Sequence, residues 1–212
     1  MSRSTQRPAR LTTTSYAILG LLAVRPWSTY ELATQMDRSV GRYWPRARSK
    51  LYEEPKKLVG LGLAAAESQS VGLRPRTVYR ITDEGRRVLA DWHHEAGQGP
   101  VLEFEQLLKL GFAENGTKAD ALAQLTAART WASERNQENL EAARAYAGDA
   151  GPFPARAAQN LLVGAFLTDF YAMVARWAEW ATPLVEAWPD SPGEATADRA
   201  ALREVLTRAE WS

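Results

Sequence analysis

Residues 45–86 read PRARSKLYEEPKKLVGLGLAAAESQSVGLRPRTVYRITDEGR, and this stretch decides the fold. Pro45 suits the first position of a helix, because its missing N–H would have no partner there. After this helix, a hairpin is expected from a short strand over residues 63–67 and a second strand over residues 77–81. Thr82 is then a good N-cap for another helix. The stretch therefore predicts a helix, a β-hairpin and a further helix in succession.

The helix that begins near Pro45 is predicted to be amphipathic, with one basic side. Its apolar positions cluster on one side of a helical wheel and are Ala47, Leu51, Leu58 and Leu61. The opposite side and its edges hold Arg46, Arg48, Ser49, Lys50, Tyr52, Glu53, Lys56 and Lys57. Pro55 is expected to kink or shorten the helix, because it removes the hydrogen bond to the Leu51 carbonyl.

Two side chains on this helix have alternative interpretations. Tyr52 either contacts a phosphate or packs inside, since a phenol combines an apolar ring with a polar tip. Glu53 either pairs with Lys57 one turn later or accepts a hydrogen bond from a cytosine amine. The pairing is the preferred interpretation.

Two shorter helices are predicted before this one. Apolar residues recur at helical spacing over residues 13–24, which predicts the first helix. Ser28 and Glu31 form an S-x-x-E capping box, so a second helix is expected from there to about Met36. The order helix, helix, helix, hairpin, helix is typical of a winged helix-turn-helix with a two-stranded wing.

Charge is segregated along the chain. Residues 1–96 carry 16 Lys and Arg against 9 Asp and Glu, a formal +7, whereas residues 97–212 carry 10 against 16, a formal −6. The basic half indicates a polyanionic partner such as nucleic acid. Residues 97–100, Gly-Gln-Gly-Pro, are the best candidate for a domain boundary. We therefore expect a disordered basic tail over residues 1–12, a winged helix-turn-helix domain over residues 13–96 and a helical domain over residues 97–212.

The basic side of the helix and the hairpin suit double-stranded DNA. A single helix fits the major groove, and an adjoining hairpin reaches a neighbouring groove or phosphates. Alone, the basic side of the helix would be interpreted as a solvated surface, but basic residues near the predicted loop over residues 69–75 favour DNA contact. The predicted DNA-binding residues are Arg46, Arg48, Ser49, Lys50, Tyr52, Lys56, Lys57, Arg74 and Arg76.

Several stretches resemble PadR-type transcriptional regulators. The segments similar to the opening of that family are Tyr16-Ala17-Ile18-Leu19-Gly20-Leu21-Leu22 and Ser28-Thr29-Tyr30-Glu31-Leu32. The segments similar to its recognition helix are Leu51-Tyr52, Lys56-Lys57-Leu58 and Gly60-Leu61-Gly62-Leu63, and residues 76–86 resemble its second wing strand and following helix start. The resemblance covers about residues 14–92, and the departure from it is Glu54-Pro55, where the family more often carries small or leucine-like residues.

The resemblance implies how such a chain works. It implies a homodimeric DNA-binding repressor, often released by a small-molecule effector, in which the third helix and the wing contact DNA and C-terminal helices form the dimer. Two winged domains would then read a pseudo-palindromic operator. The C-terminal half is similar, in helical pattern only, to the longer, Vir-like members of the family.

Beyond residue 100 the pattern is all helical, with helices expected near residues 101–110, 118–147, 155–181 and 196–211. A heptad seam of apolar residues recurs at spacings of 4, 3, 4 and 3, and its members are Phe166, Phe170, Met173, Trp177 and Trp180. Packing in a core or a dimer interface is the prediction for this seam, and a cage for a cofactor or drug is the alternative. Trp92, near the end of the fourth helix, is expected to pack, with effector contact as its alternative role.

The sequence disfavours several other classes of function. The chain has no cysteine, which excludes disulfides, thiolate metal sites and cysteine nucleophiles. The two histidines, His93 and His94, point about 100° apart on a helix, and no metal site, cofactor site or catalytic set is predicted. No stretch approaches the ~18 apolar residues of a membrane span, so no membrane partner and a cytoplasmic location are expected. The alternative to a DNA-binding repressor is a protein-interaction adaptor that reuses a winged helix without DNA.

Overall fold

The computed structural model describes residues 11–71 and 74–210, with the side chains of residues 70, 71, 74 and 75 outside that description. Most of the predicted basic tail, residues 1–10, also lies outside the described residues. The chain divides into two compact units whose boundary falls between Pro100 and Val101. The described part is mainly helical with one small antiparallel sheet, which confirms the predicted fold class.

The N-terminal unit has the element order that its sequence predicts. Its helices are α1 (Thr13–Val24), α2 (Thr29–Arg38), α3 (Arg48–Gly60) and α4 (Asp83–Trp92), and its strands are β1 (Trp27–Ser28), β2 (Ala64–Val71) and β3 (Arg74–Ile81). The strands β2 and β3 form the wing that follows the helix-turn-helix of α2 and α3. The winged helix-turn-helix prediction is therefore confirmed.

The predicted helix caps explain where two of these helices begin. The Ser28 hydroxyl accepts from the Glu31 N–H at 3.3 Å, and the Glu31 carboxylate accepts from the Ser28 N–H at 2.8 Å. The Ser28 hydroxyl also donates to the Glu31 carboxylate at 2.6 Å, and this bond and then the one from the Ser28 N–H hold the pKa of Glu31 below its ordinary value, because they favour the ionised carboxylate. At the start of α4, the Thr82 hydroxyl accepts from the Gly85 N–H at 3.0 Å. Both caps satisfy N–H groups that the first helical turn leaves without a partner.

The sheet has three strands in the order β1-β3-β2, one more than the predicted two-stranded wing. Trp27 lies opposite Tyr79 in the added pair. This two-residue strand carries no alternation in sequence, but its tryptophan is anchored, because the indole N–H donates to the Leu21 carbonyl at 2.8 Å. The wing strands also extend into the predicted loop over residues 69–75, with Val71 opposite Arg74. The prediction of a loop is therefore wrong for residues 69–71 and 74–75, which belong to the strands. Residues 72–73 lie outside the described residues.

Helix α3 begins and ends differently from the prediction. It starts at Arg48, so Pro45 lies outside the helix, and Ala47 is its exposed N-cap residue rather than a core residue. Pro55 does not shorten α3, which continues to Gly60. Pro55 is buried beside the fully buried Leu51 and Leu58. Packing on this apolar side outweighs the hydrogen bond that the proline removes.

The fully buried part of the N-terminal core is formed by side chains of α1, α2 and α3. Its fully buried side chains include Ile18, Leu19, Leu22, Leu32, Met36, Leu51 and Leu58. Gly85 brings α4 against the turn between α3 and β2, because a Cβ at this position would lie 2.1 Å from the Leu63 carbonyl oxygen. Any larger residue would have to push the Leu63 backbone away, so the glycine fixes the close approach of these two segments.

The C-terminal unit is entirely helical over its described residues. Its helices are α5 (Glu105–Gly111), α6 (Lys118–Ala147), α7 (Ala157–Glu186) and α8 (Arg199–Ala209). Helix α6 has the predicted bounds, whereas α5 begins later than predicted and α7 continues through Pro183 to Glu186. Thr117 begins α6 with a capping box that includes Asp120.

Helices α6 and α7 form an antiparallel hairpin. Lys118 at the start of α6 donates to the carbonyl of Trp188 after α7 at 3.0 Å, and Asn139 nearer the end of α6 donates to Thr168 at 2.7 Å. The interface between them is built mainly from small side chains, namely Ala121, Leu125, Ala128 and Ala132 against Val174, Ala178, Ala181 and Val185. Small residues let two helix axes approach closely, so this core is narrow.

Most of the apolar surface of α7 lies outside this narrow core. The segment Pro154–Glu186 has a mean hydropathy of 1.3 over an 18-residue window, and only 22% of that window is buried. By length and composition this segment could span a membrane, so the expectation that no stretch approaches that length is wrong for α7. The apolar side chains of α7 that lie outside the α6–α7 core, such as Leu162 and Phe166, are exposed in the protomer.

Candidate nucleic-acid interface

The solvent side of α3 and the segment before it carry most of the predicted contact residues. Of the nine, the structure places six as exposed on or beside α3, namely Arg46, Arg48, Ser49, Lys50, Tyr52 and Lys56. Leu51 and Leu58 fix this orientation, because their burial turns the polar side of α3 outward. We call these six exposed residues the α3 face.

Lys57 does not belong to the α3 face. Its ammonium donates to the buried Glu54 carboxylate at 2.9 Å and to the hydroxyl of the fully buried Ser15 at 3.3 Å. The Ser15 hydroxyl also donates to Glu54. These three residues form a cluster that joins α1 to α3, so Lys57 is an internal partner of Glu54 rather than an available phosphate contact.

Ion pairs on α3 differ from the predicted one. Glu53 lies 3.6 Å from Lys50, so the preferred pairing of Glu53 with Lys57 is wrong. Lys57 instead forms its ion pair with Glu54, at 2.9 Å. Burial of Glu54 explains this pairing, because a buried charge needs a partner. Within the described residues, Lys56 makes no ion pair and stays available to an anion.

The wing contributes two described cations on β3, Arg76 and Arg80, and of these Arg76 was predicted to contact DNA and is exposed. Arg74 begins β3, but its side chain lies outside the described residues. Arg80 is paired across the strands with Glu67 at 2.8 Å. Arg76 is close enough to the start of α2 that its positive charge contributes to the lowered pKa of Glu31, after the Ser28 hydrogen bonds and Arg25.

The wing and α3 are both joined to α2. Ser28, the N-cap residue of α2, lies opposite Val78 of β3, two residues from Arg76. Arg48 of α3 donates to Asp37 in the last turn of α2, and this hydrogen bond and then the charge of Asp37 raise the pKa of Arg48. Helix α2 thus connects a cation of α3 with the wing strand that carries Arg76.

Sequence reasoning missed three residues of this surface. Tyr30 is a strongly exposed tyrosine on α2, Asp37 binds Arg48 through two hydrogen bonds, and Trp44 lies under Arg46 with 4.2 Å from guanidinium carbon to ring centre. Tyr30 stands in the family-like stretch at residues 28–32, which was the only signal that could have found it. Asp37 and Trp44 meet their partners only through the fold.

Trp92 stacks on another aromatic ring of its own unit. Its ring centre lies 4.8 Å from that of Tyr16, with an angle of 6° between the planes, and both side chains are half-buried. The stack joins α4 to α1. Packing therefore uses one face of the Trp92 ring, and effector contact stays a prediction.

The heptad seam of α7 divides into two parts. Phe170, Trp177 and Trp180 are half-buried against the α6–α7 core, and Trp180 also donates to Glu204 of α8 at 2.9 Å. Phe166 and Met173 stay 61% and 47% exposed. Three residues of the seam thus pack inside the protomer and two remain exposed. The role of the seam in a dimer stays a prediction.

The described residues include no group of three or more His, Cys, Asp and Glu side chains that could hold a metal ion. The contacts of this surface are charged, aromatic and exposed. Such a surface binds a polyanion by charge and orients it by hydrogen bonds.

Comparison with known proteins places the N-terminal unit in a family. The profile of the transcriptional regulator PadR-like family matches residues 18–91. This chain carries a PadR-like transcriptional regulator domain. The PadR-like domain comprises the helix-turn-helix, the wing and α4 up to residue 91.

Two curated proteins resemble this chain in sequence. The negative transcriptional regulator PadR of Bacillus subtilis (strain 168) is 33% identical over 78 residues, which are 36% of this chain and 43% of that protein. The probable transcriptional regulator Rv1176c of Mycobacterium tuberculosis is 32% identical over 125 residues, which are 54% of this chain and 66% of that protein. The matches thus span less than two thirds of either relative. The first match, over 78 residues, is about as long as the PadR-like domain.

Solved structures share the fold over more of the chain. Bacillus subtilis PadR in complex with operator DNA matches with a TM-score of 0.67 and 23% identity, covering 82% of this chain and 99% of that one. The same protein in complex with p-coumaric acid matches with a TM-score of 0.63 and 22% identity, covering 84% and 99%. At these identities the likeness shows the fold, which extends beyond the PadR-like domain into the helical C-terminal unit.

Proposed function

We propose that this protein is a homodimeric, DNA-binding transcriptional regulator of the cytoplasm, and that it represses transcription until a small-molecule effector releases it. The observation that carries the proposal is that α2 joins α3, with its exposed cations, to the wing strand β3, which carries the exposed Arg76. The proposed role needs no catalytic group, and it is supported by the family profile that matches residues 18–91, which describes transcriptional regulators.

DNA binding is supported by what the exposed cations would meet in a duplex. Helix α3 is 13 residues long and its first turn is exposed, as a helix that enters the major groove requires. Lys50, Lys56 and Arg76 are exposed, and we assign them to phosphate contacts. The structural relative that was solved with operator DNA has the same fold.

Salt dependence tests this proposal directly. If each subunit neutralises three to four phosphates, the logarithm of the affinity should fall against the logarithm of the salt concentration with a slope near −6. The double variant K50A/K56A removes two contacts from each subunit, so the slope should shrink to about −3 at similar sequence preference. Fluorescence anisotropy with a fluorescent operator duplex over a salt series measures both values.

Lys109 provides the matched control for this experiment. It is an exposed lysine of the acidic C-terminal unit, paired with Glu105 at 2.8 Å, so K109A should leave the slope unchanged. Equal DNA retention by the wild type and K50A/K56A would favour a protein-interaction adaptor that reuses the winged helix. A pull-down of partner proteins that fails with K50A/K56A would support that second function.

The homodimer is supported by unpartnered apolar surface in the C-terminal unit. Leu162 and Phe166 on one side of α7 are 74% and 61% exposed, and α8 carries the exposed Leu202 and Leu206. Contiguous apolar side chains of this size mark an interface in a protein that stays in solution. A second copy of the chain offers the same surface, and the resulting dimer has two DNA-binding domains for a pseudo-palindromic operator.

The effector is proposed to contact Trp92. One face of its ring rests on Tyr16 and the tilted His93 ring lies 5.2 Å from it, while half-burial leaves part of the Trp92 ring accessible to a planar ligand. Bacillus subtilis PadR was solved with p-coumaric acid, so an aromatic acid is the first candidate to test.

This contact is tested by measuring how far an aromatic acid releases the protein from operator DNA. We expect an aromatic acid such as p-coumaric acid to weaken operator binding by the wild type, and to have several-fold less effect on W92A. The variant should bind DNA normally without the acid, because Trp92 is outside the α3 face. An equal response of wild type and W92A in an electrophoretic mobility shift assay would rule out this contact.

A further inference from the structure

The first residue of α3 is held by a carboxylate from the preceding helix. Arg48 Nε donates to Asp37 Oδ2 at 3.1 Å, and Arg48 Nη2 donates to the same oxygen at 2.8 Å. Asp37 lies in the last turn of α2, and both side chains are exposed. An exposed ion pair contributes little to stability, so its geometry rather than its energy is the informative feature.

Two bonds to one edge determine which part of the guanidinium stays available. The guanidinium is planar and presents its five N–H donors in a fixed fork. Asp37 occupies the edge formed by Nε and Nη2. The end formed by Nη1 and the second N–H of Nη2 keeps two parallel donors, and no other described group bonds to Arg48.

Two parallel donors in one plane match the edge of a guanine. Guanine presents O6 and N7 side by side in the major groove, and an arginine that bonds to both makes the commonest specific contact with DNA. A phosphate would also accept both bonds. However, the Asp37 carboxylate close to the guanidinium repels a full negative charge more than it repels the neutral edge of a base.

The place of Arg48 in the helix favours the same choice. Arg48 is the first residue of α3, and residues at the N-terminal end of a recognition helix are those that reach base edges. Tyr52, one turn later on the same side, and Tyr30 from α2 lie near the guanidinium. These neighbours are exposed and leave the free end of the guanidinium open to solvent.

We propose that Arg48 reads a guanine in each operator half-site and that Asp37 is the positioning residue that orients it. This inference rests on the proposed DNA binding and adds to it a base and a specificity device. Asp37 itself would not touch DNA. Its effect is to hold the guanidinium plane so that both donors reach one base pair together.

Selection from a random duplex library tests the proposal with the full-length protein. The wild type should select sites with one guanine per half-site whose replacement by adenine weakens binding roughly 10- to 100-fold, the discrimination expected of a bidentate contact. Replacing that guanine by 7-deazaguanine, which lacks the N7 acceptor, should also weaken binding. R48A should lose the preference at that position while it retains the preferences elsewhere in the site.

Asp37 is tested by D37A with E53A as its matched control. Each variant removes one exposed carboxylate that pairs with a cation of α3, Asp37 with Arg48 and Glu53 with Lys50. D37A should lose several-fold of the guanine preference, whereas E53A should keep it.

If Asp37 acts only through its charge, both variants should strengthen binding to all sequences equally, and that result would overturn the inference. A guanine preference in R48A equal to that of the wild type would also overturn it. DNA binding that persists without any guanine preference leaves the proposed function intact and rejects only this inference. A wild type that binds no duplex removes both.

Discussion

F166D is expected to convert the protein from a dimer into a monomer and to weaken binding to a two-half-site operator by at least about 100-fold. Burying a phenylalanine stabilises an interface by about 1.5–3 kcal/mol, and an aspartate in its place adds the cost of desolvating a charge. Phe166 is 61% exposed in the protomer, so the substitution should leave the fold of each chain unchanged. Loss of the second DNA-binding domain removes the gain in affinity that two linked half-site contacts provide, which reaches about 10²–10⁴-fold.

Ala165 supplies the control for this prediction. It precedes Phe166 by one residue, so its side chain points about 100° away round α7, and it is also exposed. A165D therefore places the same charge on the same turn outside the side of the helix that carries the heptad seam.

Sedimentation velocity and a mobility shift assay on both variants and the wild type measure this prediction. A165D should remain a dimer and bind the operator as the wild type does. A wild type that is monomeric, or an F166D variant that remains dimeric, would contradict the dimer interface proposed on α7.

E54A is expected to destabilise the N-terminal unit by about 3 kcal/mol. It removes the partner of Lys57 and of the Ser15 hydroxyl at a place where Glu54 is buried and the side chain of Lys57 is only 27% exposed. Breaking a buried pair costs about 3–5 kcal/mol, and the partial exposure of Lys57 lowers that figure. Denaturant unfolding of the full-length chain, with amide hydrogen exchange in α1 and α3, measures the loss.

Glu53 and a double substitution make this prediction specific. Glu53 is the exposed neighbour of Glu54 and pairs only loosely with Lys50 at 3.6 Å, so E53A should change the free energy of unfolding by less than about 0.5 kcal/mol. The variant E54L/K57M replaces both charges by apolar side chains of similar size, and it should recover most of the stability that E54A loses. Equal losses in E53A and E54A, or no recovery in the double variant, would show that the cluster is not a stabilising unit.

The fold of the N-terminal unit was predictable because its signals are local. A capping box at Ser28 and an N-cap at Thr82 mark helix starts within four residues of sequence, and the structure contains both. The strand β1 has no such signal, because two residues carry no period and Trp27 is held in place by distant partners.

Errors on α3 arose where tertiary contacts override a local rule. Pro55 breaks a helix in isolation, but here it is buried in the core and α3 continues past it. Lys57 lies on the polar side of a helical wheel, yet the buried Glu54 draws it inward. A helical wheel shows the direction in which a side chain points. It does not show that a neighbouring acid, here Glu54, is buried and bonds to that side chain.

The heptad seam shows the same limit in the C-terminal unit. Large aromatic side chains make up most of the seam, so spacing alone predicted that Trp177 and Trp180 pack, together with Phe166, either in a core or in a dimer interface. The helix-to-helix core is instead rich in alanine, a residue that gives a weak apolar signal although it allows close packing. Sequence spacing therefore identified the apolar side of α7 but could not divide it between its own chain and a partner.

The central place of β3 has a mechanical consequence. Because β3 is bonded to β2 on one edge and to β1 on the other, the wing is tied to the residues that begin α2. In the proposed complex with DNA, this link moves the base of the wing together with the helix-turn-helix. The proposed effector would then act on the distance between the two winged units of the proposed dimer, so that the length of DNA between half-sites carries the signal.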